Sequence, residues 1–360
     1  MSTVQPRLAF IDLLKAVACQ LIVLHHLAFY GPMSDHAYPL APALMSWLSQ
    51  HARMAVQVFL VIGGFLAARS LAPEGRIATI RPFSMVIKRY LKLAIPYLAA
   101  VLIGMCGAAL ARLLMTHDSV PAAPTWPQLI AHVLFLQSIL GYDGLSAGVW
   151  YVAIDFQLFT LLLGLLWLAE RIGGGGVRTT RIACTLIVAL ALMSLYHFNR
   201  DGDWDMWGVY FFAAYALGAL THWATNGRQA VGWLLTMALV VVLALLLDYR
   251  PRIAIALLAA LALALARRCG ILDRWPDWRG VLYLGRISYA VFLIHFPVCL
   301  LVNGLFTRFA STDPWINSAG LAVAWIGSLV GGALFYRYIE NPAQRVSTRY
   351  LPTPGVSRQA

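Results

Sequence analysis

An all-α, polytopic bundle of transmembrane helices is the fold that this sequence predicts, and three observations predict it. Of 360 residues, 61% are hydrophobic and only 12% are charged, with a mean hydropathy of +0.73. A soluble domain of this length needs far more polar surface. Apolar runs of about 17 to 22 residues recur along the chain, the length that crosses a hydrocarbon layer. Lys and Arg outnumber Asp and Glu by 27 to 15, and the excess falls on alternate loops, as short cytoplasmic loops require. The net charge of +12 is therefore a topology signal, and no nucleic-acid partner is expected.

Ten spans are expected: Ala9–Tyr30, Ala52–Leu71, Arg89–Leu113, Val149–Ala169, Ile182–His197, Trp207–Trp223, Val231–Leu247, Ile253–Ala266, Val281–Leu305 and Ala319–Ile339. One set of loops and flanks carries Arg69, Arg76, Arg81, Lys88, Arg89, Arg171, Arg178, Arg181, Arg228, Arg267, Arg268, Arg274 and Arg279, with Arg337, Arg345, Arg349 and Arg358 near the end. The alternate set carries mainly Asp35, Asp118, Asp143, Asp201, Asp203, Asp205, Asp248 and Asp313, with Arg200, Arg250, Arg252 and Arg308 as the exceptions. Both termini are thus expected in the cytoplasm, and an odd number of spans would break the alternation. Residues 1–342 read as one membrane domain and 343–360 as a polar, flexible tail. The first apolar segment holds Asp12 and Lys15 and lacks a small-residue cleavage site, so it is expected to remain as a helix rather than act as a signal peptide. Cys19, Cys106, Cys184, Cys269 and Cys299 show neither metal-like spacing nor a disulfide framework, and no metal constellation is visible.

The first helix is the most informative element. Its apolar wall is broken by Lys15 and by His25 and His26, and an apolar span tolerates such groups only where they face protein or water. Eleven residues is roughly 16 Å and about three turns, so Lys15 and His26 share a helix face while His25 points about a quarter-turn away. Lys15 stands three residues from Asp12 and can neutralise it. The loop from Tyr30 to Gln50 is expected outside. Gly63 and Gly64 close the second span with room for close helix contact.

Lys88, Arg89 and Lys92 open the third span. They read either as an inner anchor with snorkelling side chains or as an inward-facing phosphate site. The outer stretch Thr116–Gly148 exceeds what a connection needs; within it, Pro127–Ile139 is too short to cross, leaving a re-entrant segment, a surface helix or an eleventh span as readings. Asp155 and Gln157 follow at the outer start of the fourth span, able to line one cavity from adjacent flanks. The run Gly173–Gly176 lacks the lysine of a phosphate loop. Spans five to eight carry few buried polar groups and read as scaffold. The ninth brings Arg286, Ser288, Tyr289 and then His295, just ahead of Pro297, which is expected to bend or loosen the helix.

These motifs resemble the membrane-bound acyltransferase family 3, integral O-acyltransferases that modify bacterial glycans. The resemblance runs from Phe10 to about Pro342. It rests on Ile11–Ala16 with His25-His26, on Arg89-Tyr90-Leu91-Lys92 with lysine in the second basic position, on Val58–Phe65, and on Gly285–Tyr289 with His295-Phe296-Pro297. One departure stands out. A tryptophan-led segment in the family carries paired glutamates before glutamine, whereas here Trp150 is followed by Asp155-Phe156-Gln157. The soluble esterase-like domain of some members is not expected here.

The resemblance implies a donor that is acetyl-CoA or another acyl-CoA, supplied from the cytoplasm and held by Arg89, Lys92 and Lys88, with Lys15 near its polar arm. The acceptor implied is a hydroxyl of an exported glycan or lipid-linked sugar at the outer face of the bacterial inner membrane, with Thr116–Gly148 writing its preference. His26 would act as general base, with a covalent acyl-histidine as the variant. Asp155 would orient a histidine ring; Asp12, about 21 Å from His26, is poorly placed to do so. His25, His295, Arg286, Ser288, Tyr289 and Gln157 complete the candidates, each with a packing role as the plain alternative. The rival readings are a proton-coupled transporter, in which Lys15 and His26 form a relay, and a non-catalytic scaffold. Protein partners are not specified by the sequence.

Overall fold

A computed structural model describes residues 8–73, 81–225 and 230–350. The described residues form α-helices and short helical turns throughout. In chain order they are α1 (Ala9–Phe29), α2 (Pro32–Ala37), α3 (Pro42–His51), α4 (Val56–Leu71), α5 (Pro82–Leu114), α6 (Trp126–Val133), α7 (Val149–Gly173) and α8 (Gly176–Tyr196). Then follow α9 (Gly208–Ala224), α10 (Ala230–Leu247), α11 (Pro251–Arg268), α12 (Ile271–Arg274), α13 (Arg279–Phe309), α14 (Pro314–Phe335) and α15 (Asn341–Tyr350). Residues 343–350 of the expected tail are thus helical, while 351–360, like Arg76, Arg228 and Arg358, lie outside the described residues.

The all-α membrane fold stands, but the span count does not. Among the described residues seven stretches are long and apolar enough to cross: Ala9–Phe29, Pro42–Leu71, Pro82–Leu114, Val149–Gly173, Gly176–Arg200, Arg279–Phe309 and Pro314–Arg345. The three expected spans that fall short are consecutive. Helix α9 has 17 residues, about 26 Å. The apolar part of α10 is Val231–Leu247, and α11 carries Arg252, Arg267 and Arg268 within its 18 residues. Around α9 the reason for the apolar run is burial, since Tyr210–Ala219 is enclosed by protein on every side and such a helix is apolar all round. The loop expected over Tyr30–Gln50 is also helical, as α2 and α3.

The chain divides into two compact units. The first comprises Met1–Ile22, Ala52–Pro82 and Gln157–Arg286. Its centre is the crossing of α4 and α9, where a Cβ on Gly64 would stand 1.8 Å from the Tyr215 carbonyl oxygen and one on Gly218 would stand 1.9 Å from that of Val61. The two backbones touch, the arrangement that small residues permit between membrane helices. Gly285 does the same against Asp12, whose carbonyl oxygen lies 2.3 Å from the Cβ position.

The second unit comprises Val23–His51, Phe83–Phe156 and Ile287–Ala360. Its two long helices α5 and α13 run parallel: Gly107 meets Pro297, and Gly304 meets Leu114. Ala108, Ala111, Met115, Phe296 and Leu300 fill the space between them. Both helices continue through internal prolines, Pro96 and Pro297, which neighbouring helices make tolerable in a membrane.

Thr116–Gly148 folds back along α5, as a re-entrant segment would. It leaves the end of α5 at Leu114, yet the Tyr90 hydroxyl donates to the Val133 carbonyl at 2.7 Å. The Phe135 ring packs 5.3 Å from that of Tyr90 and 4.9 Å from that of Tyr97. Tyr97 lies about 26 Å back along α5 from Leu114. The segment turns on α6, started by a capping box of Thr125 and Gln128, and reverses at Phe135, a non-glycine residue at φ 58. His132 staples the return: its Nδ1–H donates to the Gln128 carbonyl at 2.8 Å, and its Nε2 accepts from the Leu145 amide at 3.2 Å. Irregular backbone at depth is stable only when protein covers it, and Phe135 is 2% exposed.

Candidate active site

Two histidines far apart in sequence meet in the second unit. His26 Nδ1 lies 2.5 Å from His295 Nε2. The ring planes differ by 4° and the centroids are 4.7 Å apart, a separation close to the N–N distance plus two ring radii. The imidazoles are therefore coplanar and meet edge to edge. His295 Nδ1 faces the Val291 carbonyl at 3.3 Å, and a carbonyl can only accept, so His295 carries its proton there. Its Nε2 is then an acceptor, and His26 donates from Nδ1. The lone pair of His26 is left on Nε2, which has no partner among the described residues.

His25 is engaged otherwise. Its Nδ1 donates to the Leu48 carbonyl at 3.0 Å and it is buried, tying α1 to α3. The quarter-turn offset read from the sequence is what separates the two roles.

Asp155 orients no histidine. The Arg89 guanidinium donates to its carboxylate at 2.5 Å, an ion pair with Asp155 buried. An acid among apolar helices takes the nearest cation before a neutral imidazole, since an unpaired buried charge costs several kcal/mol. Lys88 is half-buried and Lys92 exposed. Tyr289 lies within electrostatic range of Arg89, Asp155, Tyr97 and Glu340. Glu340 is a buried acid at the end of a π-helical turn, Tyr336–Glu340, and such turns recur at functional sites.

The remaining candidates belong to the first unit, apart from Ser288, which is buried on α13 in the second. Lys15 pairs with Asp12 at 3.8 Å, as the three-residue spacing suggested, and Arg286 is exposed. Gln157 caps a helix: its Oε1 accepts from Gly208 N–H at 2.7 Å and its Nε2 donates to the Met206 carbonyl at 3.4 Å. Trp207 offers no side-chain cap at the start of α9, so Gln157 satisfies that orphan donor from another helix.

Sequence reasoning missed Tyr97, Gln137, Ser146 and Glu340. Gln137 had a signal, being a lone amide in the apolar run Leu134–Gln137; Glu340 had one as a single acid on a basic flank. The register of α5 and α13 supplies the scale of the site. His295 stands half a turn before Pro297, which touches Gly107, so Arg89 and the imidazoles are about 24 Å apart along α5. Among the described residues no three His, Cys, Asp or Glu side chains are grouped to hold a metal ion.

A curated relative, the regulator of hypoxia-inducible factor 1 of Caenorhabditis elegans, is 22% identical over 418 residues, covering 97% of this chain and 82% of its own length. No solved structure matches the chain. Residues 8–337 match the acyltransferase family 3 profile, described as an acyltransferase domain. The chain belongs to that family of integral-membrane O-acyltransferases, and its chemistry is acyl-group transfer.

Proposed function

We propose that the protein transfers an acyl group, in the first instance acetyl, from cytoplasmic acyl-CoA to a hydroxyl of an exported glycan or lipid-linked sugar. The observation that carries this reading is the lone pair on His26 Nε2, fixed by a chain of hydrogen bonds running from His26 through His295 to the Val291 carbonyl. A general base needs that geometry. The acceptor hydroxyl gives its proton to Nε2 as its oxygen attacks the thioester carbonyl. Collapse of the tetrahedral intermediate forms the ester and breaks the C–S bond. The leaving thiolate then recovers the proton from the imidazolium. While charged, His26 donates a charge-assisted hydrogen bond to His295, stronger than a neutral one.

The other end of the second unit suits the donor's phosphates. Lys88 and Lys92 add positive charge around Arg89, which Asp155 holds in place, and phosphate recognition uses such cations. This reading puts Arg89 and both termini on the cytoplasmic side of the inner membrane.

Purified protein incubated with labelled acetyl-CoA and a glycan acceptor tests the proposal. Label transfer by the wild type and its loss in a folded His26→Ala variant are expected. Transfer by His26→Ala at the wild-type rate would overturn the mechanism, and no thioester cleavage by the wild type would leave the proton-carrier reading.

A further inference from the structure

The second unit holds buried polar atoms for which the protein supplies no partner. Gln137 is 1% exposed, and neither its Oε1 nor its Nε2 is hydrogen-bonded. The same holds for the hydroxyls of Tyr97, fully buried, and Ser146, at 3% exposure, and the Tyr289 hydroxyl is likewise enclosed and unbonded. Native proteins rarely leave such groups unsatisfied, so each needs an explanation.

Their placement supplies one. Tyr97 and Gly104 are two turns apart on one face of α5, and Ser146 Cβ lies 3.4 Å from the Cβ position of Gly104. Gln137 follows two residues after Phe135, whose ring packs 4.9 Å from that of Tyr97. Tyr289 is within electrostatic range of Tyr97 and Arg89. In the α5–α13 register Tyr97 and Tyr289 fall between the Arg89 level and the His26–His295 level, and Ser146 stands at the histidine end. They border the stretch that a donor must bridge if its phosphates stay at the basic end while its acyl group meets the imidazole.

We infer that Tyr97, Gln137 and Ser146, with the Tyr289 hydroxyl, form a subsite for the amide-bearing pantetheine arm of the donor. The inference rests on the acyl-CoA reading above and adds the residues that hold the arm. A carboxamide matches an amide reciprocally, N–H to C=O and C=O to N–H, and the hydroxyls can serve either partner. A sugar acceptor would present hydroxyls from beyond the histidines, whereas Tyr97 and Tyr289 lie on the Arg89 side of them. Two of the four come from the re-entrant segment, so that segment would form one wall of the donor's path.

The test uses the full chain in detergent, with acetyl-CoA as the probe, and the variants Tyr97→Phe, Gln137→Leu and Ser146→Ala. Removing an unbonded buried polar atom leaves the ligand-free protein as stable as the wild type or more so. The unfolding midpoint without acetyl-CoA should therefore hold or rise. Its increase on adding acetyl-CoA should shrink, and the KM for acetyl-CoA should rise about tenfold for Gln137→Leu, the loss of about one good hydrogen bond. If the wild type responds to acetyl-CoA and all three variants respond equally, the groups hold only water and the subsite is refuted. If the wild type itself neither binds nor cleaves acetyl-CoA, the failure lies with the donor assignment, and this inference falls with it.

Discussion

Replacing Arg89 with alanine separates its ion pair with Asp155 from the donor-binding role proposed for it. Arg89 contacts the Asp155 carboxylate at 2.5 Å, with 24% and 9% of their side chains accessible. Removing one partner of a buried pair costs about 3–5 kcal/mol, because the other charge is left uncompensated. Arg89 keeps a quarter of its surface, so water can partly take its place, and the cost should fall near the low end, about 3 kcal/mol. The double variant Arg89→Ala/Asp155→Ala leaves no stranded charge and should regain most of that loss. Tryptophan fluorescence during thermal unfolding of detergent-purified protein reads the stability. The KM for acetyl-CoA reads donor binding, and should rise in both variants because both lose the cation. Single and double variants should therefore differ in stability and agree in donor affinity. A single variant that unfolds at the wild-type temperature, or a double variant no more stable than the single, would refute the reasoning.

Other consequences are as direct. His295→Ala should lower kcat by about tenfold or more, short of the roughly 10²–10⁴-fold expected for loss of the base itself in His26→Ala; His295→Gln, which keeps an acceptor for the His26 proton, should recover part of it in the same turnover assay. Gly64→Ala drives a Cβ to 1.8 Å from the Tyr215 carbonyl oxygen, and overpacking of this kind costs about 1–3 kcal/mol or more. The control Gly232→Ala, with nothing within 4 Å, should be neutral or slightly stabilising in the same unfolding assay. His132→Phe strips the Leu145 amide of its acceptor, a loss of about 1–3 kcal/mol, and hydrogen exchange across Trp126–Leu145 should speed up; unchanged exchange would show that the staple is idle.

Much of the molecule was legible in one dimension because membrane burial writes itself as length and apolarity. Seven of the ten expected spans are helices long enough to cross, and the polar breaks at Lys15, His26, Arg89, Asp155 and His295 were all visible. Partners were not legible. The Asp12–Lys15 pair could be read because helical spacing links them. His26 and His295 are 269 positions apart, and nothing local records their meeting. Asp155 looked like a histidine's companion until packing brought Arg89 beside it. Gln157 looked able to line a cavity with Asp155, and its amide closes a backbone end on α9. The path of Thr116–Gly148 was undecided because its depth depends on Tyr90 and Tyr97, which carry no sequence mark of that contact.

The separation of the two imidazoles along the chain also sets a timetable. At about 5–20 residues per second, ribosomes deliver His295 roughly 15–50 s after His26. For that interval the first helix sits in the bilayer with an imidazole whose proton has no assigned nitrogen. Until α13 is made, that ring lacks the acceptor that fixes its tautomer, so the pair is completed only late in synthesis.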